Sequence, residues 1–226
     1  MPEELSVSRE DYLKAIIEAE SEGHNVVPIL LAQWLHVSPP AVTKAMRRLR
    51  DDGFVAAKGE GTLELTAKGR AVARRTAFRH HLVERMLSEI FGMEWHQVHA
   101  EAERLEHVIS SEFEQKLIEK LGTEGDCPHG NGVLPESPAQ IKKRGLISLA
   151  DAEIGSSYIV SRLYERDARL LEFFHRLGIG PETKLRLLER NCDDTLELDL
   201  GNGPITLGQS AAKKLWVKPA PTRRKP

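Results

Sequence analysis

Between residues 122 and 147 the character of the chain changes. The run "GTEGDCPHGNGVLPESP" is too dense in glycine and proline for a helix or strand to pass through it, so it reads as a loop or linker. Before it, apolar residues recur at helical spacing. After it, they alternate in short runs separated by turn signals. A chain divided in this way cannot be one uniform bundle or one uniform sheet. It must join a helical part to a β part.

In the helical part, "SREDYLKAIIEAESEG" (8–23) has Ser8 as a possible cap and acids in its first turn, and it stops at Gly23. "PILLAQWLHV" (28–37) starts on a proline, which suits a first helical turn. "SPPAVTKAMRRLRDDGF" (38–54) has Ser38 as cap, prolines in the first turn and a stop at Gly53. A Gly-rich turn within "VAAKGEGTLELT" (55–66) predicts a small hairpin, after which Thr66 can cap a long helix from Ala67 to Ile90. A further helix is predicted from Val98 to Gly122, with Val98, Ala102, Leu105, Ile109 and Phe113 as its apolar stripe. In the β part, "SSYIVSRLY", "KLRLLER", "TLELDL", "GPITLG" and "KKLWVK" read as strands, with a helix at Asp167–Leu177, the outline of a β-barrel of roughly 75 residues. The tail "PAPTRRKP" reads as frayed.

Net charge is only −2, so the molecule as a whole does not attract nucleic acid, and any such binding must come from a local basic patch. No run of about 18 apolar residues is present, and "MPEELSVSRE" is acidic and polar, unlike a signal peptide. Two distant cysteines, Cys127 and Cys192, fit a reduced compartment, so a cytoplasmic chain without membrane contact is expected.

The order helix, short helix, turn, basic helix, hairpin is that of a winged helix-turn-helix. Thr43, Lys44, Arg47 and Arg48 form one strip on the basic helix, opposite Val42, Met46 (or Ala45) and Leu49. Arginine and lysine contact phosphate and guanine edges. Thr43 and Ser38, with Pro40 beside them, stand near the helix N-terminus, where hydroxyls can reach phosphate. Lys58 is the cation of the wing. A merely solvated charged face is the competing reading, and the order of elements favours DNA.

The second chemical feature is a stripe of acids and imidazoles. His99, Glu103, Glu106 and His107 fall at i, i+4, i+7 and i+8, which would turn them toward one groove. The long helix adds His80 and Glu84, and the first helix adds Glu10 and Asp11. Imidazole nitrogen mixed with carboxylate oxygen suits a first-row divalent metal. A solvated helix flank with incidental histidines fits the spacing equally well. A carboxylate–histidine metalloenzyme is disfavoured: the cluster holds no Glu-x-x-His pair, and the chain shows no nucleophile elbow, phosphate loop or HExxH. A winged helix that responds to an organic effector is the other alternative.

"DYL", "SPPAVTKAMRRL", "RHHLVERML", "VHAEAERLEHV" and "CPHGNGVLP" together resemble the metal-dependent repressors of the diphtheria toxin repressor and manganese transport regulator type. The resemblance runs over essentially the whole chain. The segment "LLEFFHRLGIGPETKLRLL" is similar to the SH3-like, FeoA-like domain of the longer members. It implies a mainly α N-terminal part followed by a small all-β SH3-like barrel. The implied domains are a winged helix-turn-helix domain over 1–66, a helical metal-binding and dimerisation domain with linker over 67–146, and the SH3-like domain over 147–226. It also implies a DNA-binding transcriptional regulator, not an enzyme, with no small-molecule substrate. As a homodimer it would bind a palindromic operator when metal-loaded and repress metal-uptake genes.

Carried over by position, the resemblance implies an effector site of Asp11, Glu103, Glu106 and His107. Iron-responsive members have Met and Cys where this chain has Asp11 and Glu103, and exchanging sulfur for carboxylate favours Mn²⁺. Fe²⁺ is the rival, and other divalent metals can bind without being the signal. A second site is implied at His80, Glu84 and His99, completed by Glu165 or by Asp167 nearby. Cys127 and His129 stand where some manganese-responsive relatives have further ligands, and a turn around a buried thiol is their alternative reading. Short manganese regulators place a Glu three residues after the Asp. Here that position is Lys14, which puts their closely coupled two-metal arrangement in doubt.

Overall fold

The computed structural model describes residues 7–59 and 61–221, so the end of the tail read as frayed and most of the acidic N-terminal stretch lie outside the described residues. The chain forms two compact units. One holds residues up to Val83 with Ala102–Gly125 and Gly132–Pro138, and the other holds Glu84–Glu101, Asp126–Asn131 and residues from Ala139 onward.

In the first unit, α1 (Val7–Ser21), α2 (Pro28–Trp34) and α3 (Pro39–Asp51) precede a hairpin of β1 (Val55–Gly59) and β2 (Thr62–Leu65), paired Val55 to Leu65. Ser8 therefore lies inside α1 and does not cap it. Ser38 holds the cap position of α3 in extended conformation, but its side chain makes no capping bond. One reason is local: Pro40 at the second helical position has no N–H to donate. Leu13, Ile16 and Leu31 share one core with Val42, Met46 and Leu49 of α3. That core consumes the apolar face of α3, and the opposite face is left to solvent.

The helix α4 (Ala67–Arg85) starts as the sequence reading expects, with the Gly69 N–H donating to the Thr66 hydroxyl at 3.1 Å. Gly69 is needed there, because a Cβ at that position would lie 2.0 Å from the Phe54 carbonyl oxygen. After Arg85 the helix widens into a π-turn, Met86–Ile90, and stops before Gly92. Among the described residues, no helix is long and apolar enough to cross a membrane.

The helix expected over 98–122 is two helices, α5 (Val98–Leu105) and α6 (Ser111–Leu121). Ser110 caps α6 by accepting the Phe113 N–H at 3.1 Å. The five-residue apolar stripe is consequently broken. Val98 and Ala102 are buried, whereas Phe113 is exposed.

A short α7 (Pro138–Lys143), which begins on the last residue of the first unit, leads into β3 (Ile147–Ser148) and β4 (Ser157–Leu163) of the second, followed by α8 (Ala168–Arg176). Then come β5 (Lys184–Arg190), β6 (Leu196–Asp199), β7 (Pro204–Leu207), α9 (Gln209–Ala212) and β8 (Leu215–Pro219). Every strand read from alternation is present. Those five, with the short β3 that alternation does not predict, form one antiparallel sheet in the order β3-β8-β4-β5-β6-β7. Tyr158, Val160, Leu185, Leu187, Leu196 and Leu198 fill its core with Leu171 and Phe174 of α8, and Trp95 packs against that core from outside the sheet.

Candidate metal centres and nucleic-acid interface

On α3 the residues Thr43, Lys44, Arg47, Arg48 and Arg50 are exposed while Val42, Met46 and Leu49 are buried. Among the described residues, Lys44, Arg48 and Arg50 have no carboxylate partner. Arg47 stands 4.0 Å from Asp51. Thr43 turns its hydroxyl back to the Pro39 carbonyl at 3.0 Å, which satisfies it within the helix. Ser38 and Pro40 are exposed at the start of α3. Lys58 is exposed on β1 and pairs weakly with Glu64 across the hairpin at 3.9 Å.

A first donor cluster lies within the first unit. Asp11 on α1 and Glu106 and His107 in the turn after α5 each offer a donor atom within 4.8 Å of the other two. Glu106 and His107 follow directly on the end of α5 at Leu105, with the Glu106 N–H still donating to the Ala102 carbonyl at 2.9 Å, and their side chains meet α1. His107 Nε2 is 2.8 Å from Asp11 Oδ1, and its Nδ1 is 2.7 Å from Glu10 Oε2. An imidazole held on its far nitrogen by a carboxylate is the usual support of a metal-ligating histidine. Glu103, expected in this set, is half exposed and faces Lys14 at 3.2 Å.

Lys14 is the feature that spacing alone did not place. Its side chain is 7% exposed, and its Nζ lies 2.7 and 2.9 Å from the two oxygens of Glu106 and 3.4 Å from His80 Nδ1. His80 Nδ1 in turn meets Glu106 Oε2 at 2.5 Å. Burial works against the ammonium charge, but Glu106, Glu103 and Glu18 outweigh it and hold Lys14 above the usual lysine range. Burial also opposes ionisation of Glu106. Hydrogen bonds from His107 and His80, with Lys14 beside them, reverse this and keep the carboxyl well below its ordinary range. His107 is pushed up to about 11, first by its bond to Asp11 and then by those to Glu10 and Glu106.

A second cluster lies within the second unit: Glu84 of α4, Cys127, His129, and Glu165 just past β4 again offer atoms within 4.8 Å. His129 Nδ1 stands 3.4 Å from both Glu84 and Glu165, and Cys127 Sγ is 3.7 Å from His129 Nδ1 and 3.6 Å from Glu165. His99 on α5 joins through Glu84 at 3.0 Å. The loop carrying Cys127 and His129 is pinned to β4. Leu163 N–H donates to the His129 carbonyl at 2.8 Å, and Gly130, at φ 78°, approaches β4 so closely that a Cβ would lie 1.9 Å from the Ser161 oxygen. Asn131 bonds Glu165 and accepts from Arg162, an orienting role that spacing did not suggest.

Burial, followed by the charges of Glu84 and Glu165, pushes the Cys127 thiol above the usual range. Burial opposes protonation of His129, but Glu84, Cys127 and Glu165 raise it well above the ordinary imidazole value. Glu165 is held down at about 2: burial and Glu84 oppose ionisation, and the bond from His129 with the nearby His99 outweighs them. His129 Nε2 is buried with no partner among the described residues. Asp167, considered as a substitute for Glu165, instead caps α8 by accepting the Leu170 N–H at 3.0 Å. The four residues aligned along 99–107 thus fall in two units. His99 belongs to the second cluster, Glu106 and His107 to the first.

An exposed basic helix on one core, together with two oxygen- and nitrogen-rich donor clusters, has the features of a metal-binding DNA-binding protein. Comparison with known proteins gives the family. Residues 4–63 match "Iron dependent repressor, N-terminal DNA binding domain", 66–134 match "Iron dependent repressor, metal binding and dimerisation domain", and 147–219 match "FeoA domain". The chain is 31% identical over 228 residues to the "Iron-dependent repressor IdeR" of Mycobacterium leprae, covering 95% of this chain and 98% of that one. It is 39% identical over 132 residues to the "Diphtheria toxin repressor" of Corynebacterium efficiens, covering 58% and 56%. A solved "Manganese-dependent transcriptional repressor complex with manganese" superposes with a TM-score of 0.79 at 29% identity, covering 94% of this chain and 100% of that one. The chain belongs to the iron-dependent repressor family of metal-dependent, DNA-binding transcriptional regulators, which are not enzymes.

Proposed function

We propose that the protein is a manganese-responsive repressor of metal-uptake genes, acting in the cytoplasm, whose effector ion is held by Asp11, Glu106 and His107, with Glu103 at the rim. The observation that carries this is the meeting of α1 with the turn after α5. Residues 96 apart in sequence converge on one point, and α1 shares its core with the recognition helix α3. A divalent ion would supply charge that ties these segments together. Both Asp11 and Glu106 are oxygen donors and no sulfur stands in the set, which favours Mn²⁺ over softer ions, with Fe²⁺ the rival. Because Lys14 already neutralises Glu106, this cluster takes a single ion. His80 and Glu10 orient Glu106 and His107. Glu84, His99, Cys127, His129 and Glu165 form a second set, closer in donor type to Zn²⁺ or Fe²⁺ because of the thiol.

As a homodimer the protein would set two copies of α3 into a palindromic operator, about 34 Å or a multiple apart. Lys44, Arg47 and Arg48 with Lys58 of the wing make the contacts, and Ser38, Pro40 and Thr43 lie beside the helix N-terminus. The exposed Val108 and Phe113 offer apolar area toward the second copy. The three matched segments support a division into a DNA-binding domain over 1–66, a metal-binding and dimerisation domain over 67–146 and an SH3-like domain over 147–226. Operator binding measured by anisotropy, with Mn²⁺ or with chelator, tests the reading. A large gain with Mn²⁺ that Asp11→Ala abolishes is expected, while equal affinity in both conditions rejects it. Arg48→Ala should lower the salt slope of binding by about 1.

A further inference from the structure

A third group of donors, sharing no residue with either cluster, lies within the second unit. Glu94 and His96 flank Trp95 in the connection that leads from the π-turn into α5, and His175 lies in the last turn of α8. Each of Glu94, His96 and His175 offers a donor atom within 4.8 Å of the other two. The His96 and His175 rings stack at 3.8 Å between centroids. Glu172, one turn before His175 on α8, faces His96 Nε2 at 3.3 Å.

The decisive detail is the state of His96. Its side chain is 7% exposed, and Nδ1 is buried with no hydrogen-bond partner among the described residues. A buried imidazole nitrogen without a partner is costly. In the neutral tautomer that turns its N–H toward the Glu172 carboxylate 3.3 Å from Nε2, His96 keeps a bare lone pair on Nδ1, the arrangement that a carboxylate imposes on a metal-ligating histidine. Trp95 anchors the connection. It packs on the sheet core and stands so close to Gly180 that a Cβ there would lie 3.1 Å from its Nε1. The two neighbours of Trp95 are thereby held opposite α8.

We infer that Glu94, His96 and His175 form a third metal site, selective for borderline divalent cations of the Zn²⁺ class and not for Mn²⁺. Two imidazoles and one carboxylate are the donor set of many tetrahedral zinc sites, with water as the fourth ligand. A turn of the exposed His175 ring about its side-chain bonds unstacks it and brings its lone pair to the ion. Such an ion would fasten the 91–97 connection to α8, and it would contribute to the second unit without using any residue of the effector cluster.

The test uses the full-length protein and metal alone. Zn²⁺ and Mn²⁺ equivalents are measured by equilibrium dialysis on the native chain, on His175→Ala and on Glu94→Gln, with circular dichroism to confirm folding. Both substituted positions are exposed. The expected result is a loss of one Zn²⁺ equivalent in His175→Ala, weaker Zn²⁺ retention in Glu94→Gln, and unchanged Mn²⁺ equivalents in both. Native Zn²⁺ stoichiometry in folded His175→Ala overturns the inference, as does an equal loss of Mn²⁺. Anomalous scattering from Zn²⁺-soaked crystals gives an independent reading: a peak within reach of His96 Nδ1 supports the site, and density confined to the first two clusters overturns it.

Discussion

The first and second donor clusters solve the same electrostatic problem differently. Around Asp11 the chain brings carboxylates from distant segments together and places its own ammonium, Lys14, among them. Around Cys127 a short loop is pinned to a strand, and the carboxylates are balanced by imidazoles. A cluster whose charge is already neutralised by a tethered cation exchanges one favourable arrangement for another when an ion arrives. That suits a reversible sensor, because an ion shifts a two-state equilibrium only by its differential affinity for the two states. The buried loop cluster has a thiol and a loop hydrogen-bonded to β4, which would suit tighter and less responsive binding if it takes the ion proposed for it.

Substituting Lys14 gives the largest expected effect. Lys14→Met removes one of the cations around buried Glu106 and leaves it to His107 and His80, so the loss should fall below the roughly 3–5 kcal/mol of a wholly uncompensated charge, at about 1–3 kcal/mol. Urea unfolding in chelator should show that loss, and Mn²⁺ should restore more stability to the variant than to the native chain. If the variant is as stable as the native chain without metal, the first cluster is not organised by Lys14 and the contrast disappears. At the second cluster, Gly130→Ala places a methyl against the Ser161 backbone at positive φ and should cost about 1–3 kcal/mol. Its Mn²⁺ response at the operator should survive, and a lost response would mean that the two clusters do not act separately.

Smaller effects sharpen the difference. Glu10→Gln weakens the hold on the far nitrogen of His107 and should reduce Mn²⁺ affinity roughly 10-fold, as outer-shell losses do. Cys127→Ser should lower Zn²⁺ affinity at the second cluster while leaving Mn²⁺ affinity almost unchanged, measured by competition with a chromophoric chelator. Without metal, the pH profile of stability should carry the first cluster's signature. His107 has its folded value raised from 6.5 to about 11, so its contribution is complete below 6.5 and fades as pH climbs toward 11. Glu106 is shifted the other way, so its contribution is present above 4.5 and disappears as pH falls below that value. Denaturant midpoints across the pH range check both limbs, and a stability that rises between pH 7 and 11 contradicts the assignment of His107.

Much of the architecture follows from local rules. The hairpin, the Thr66 cap, the strands and the helix before Leu177 were all readable because alternation, turn residues and caps act within a few positions. The break between α5 and α6 was missed, although "SSEFE" carries a signal for it: a serine cap at Ser110 with acids at Glu112 and Glu114 in the first turn. Helical periodicity concealed it, since a short turn can keep apolar spacing nearly in phase.

The order of the segments alone indicated a winged helix and further helices followed by a small all-β part, and it indicated which residue types could meet a metal. Tertiary structure decided which of them do. It sent His99 to one cluster and His107 to another, turned Lys14 inward as a cation among acids, made Asp167 a cap, and set His96 against His175. The reason is physical. Propensity and patterning act over one or two turns of chain, whereas the energy of a buried charge depends on every group that surrounds it, wherever in the sequence that group comes from.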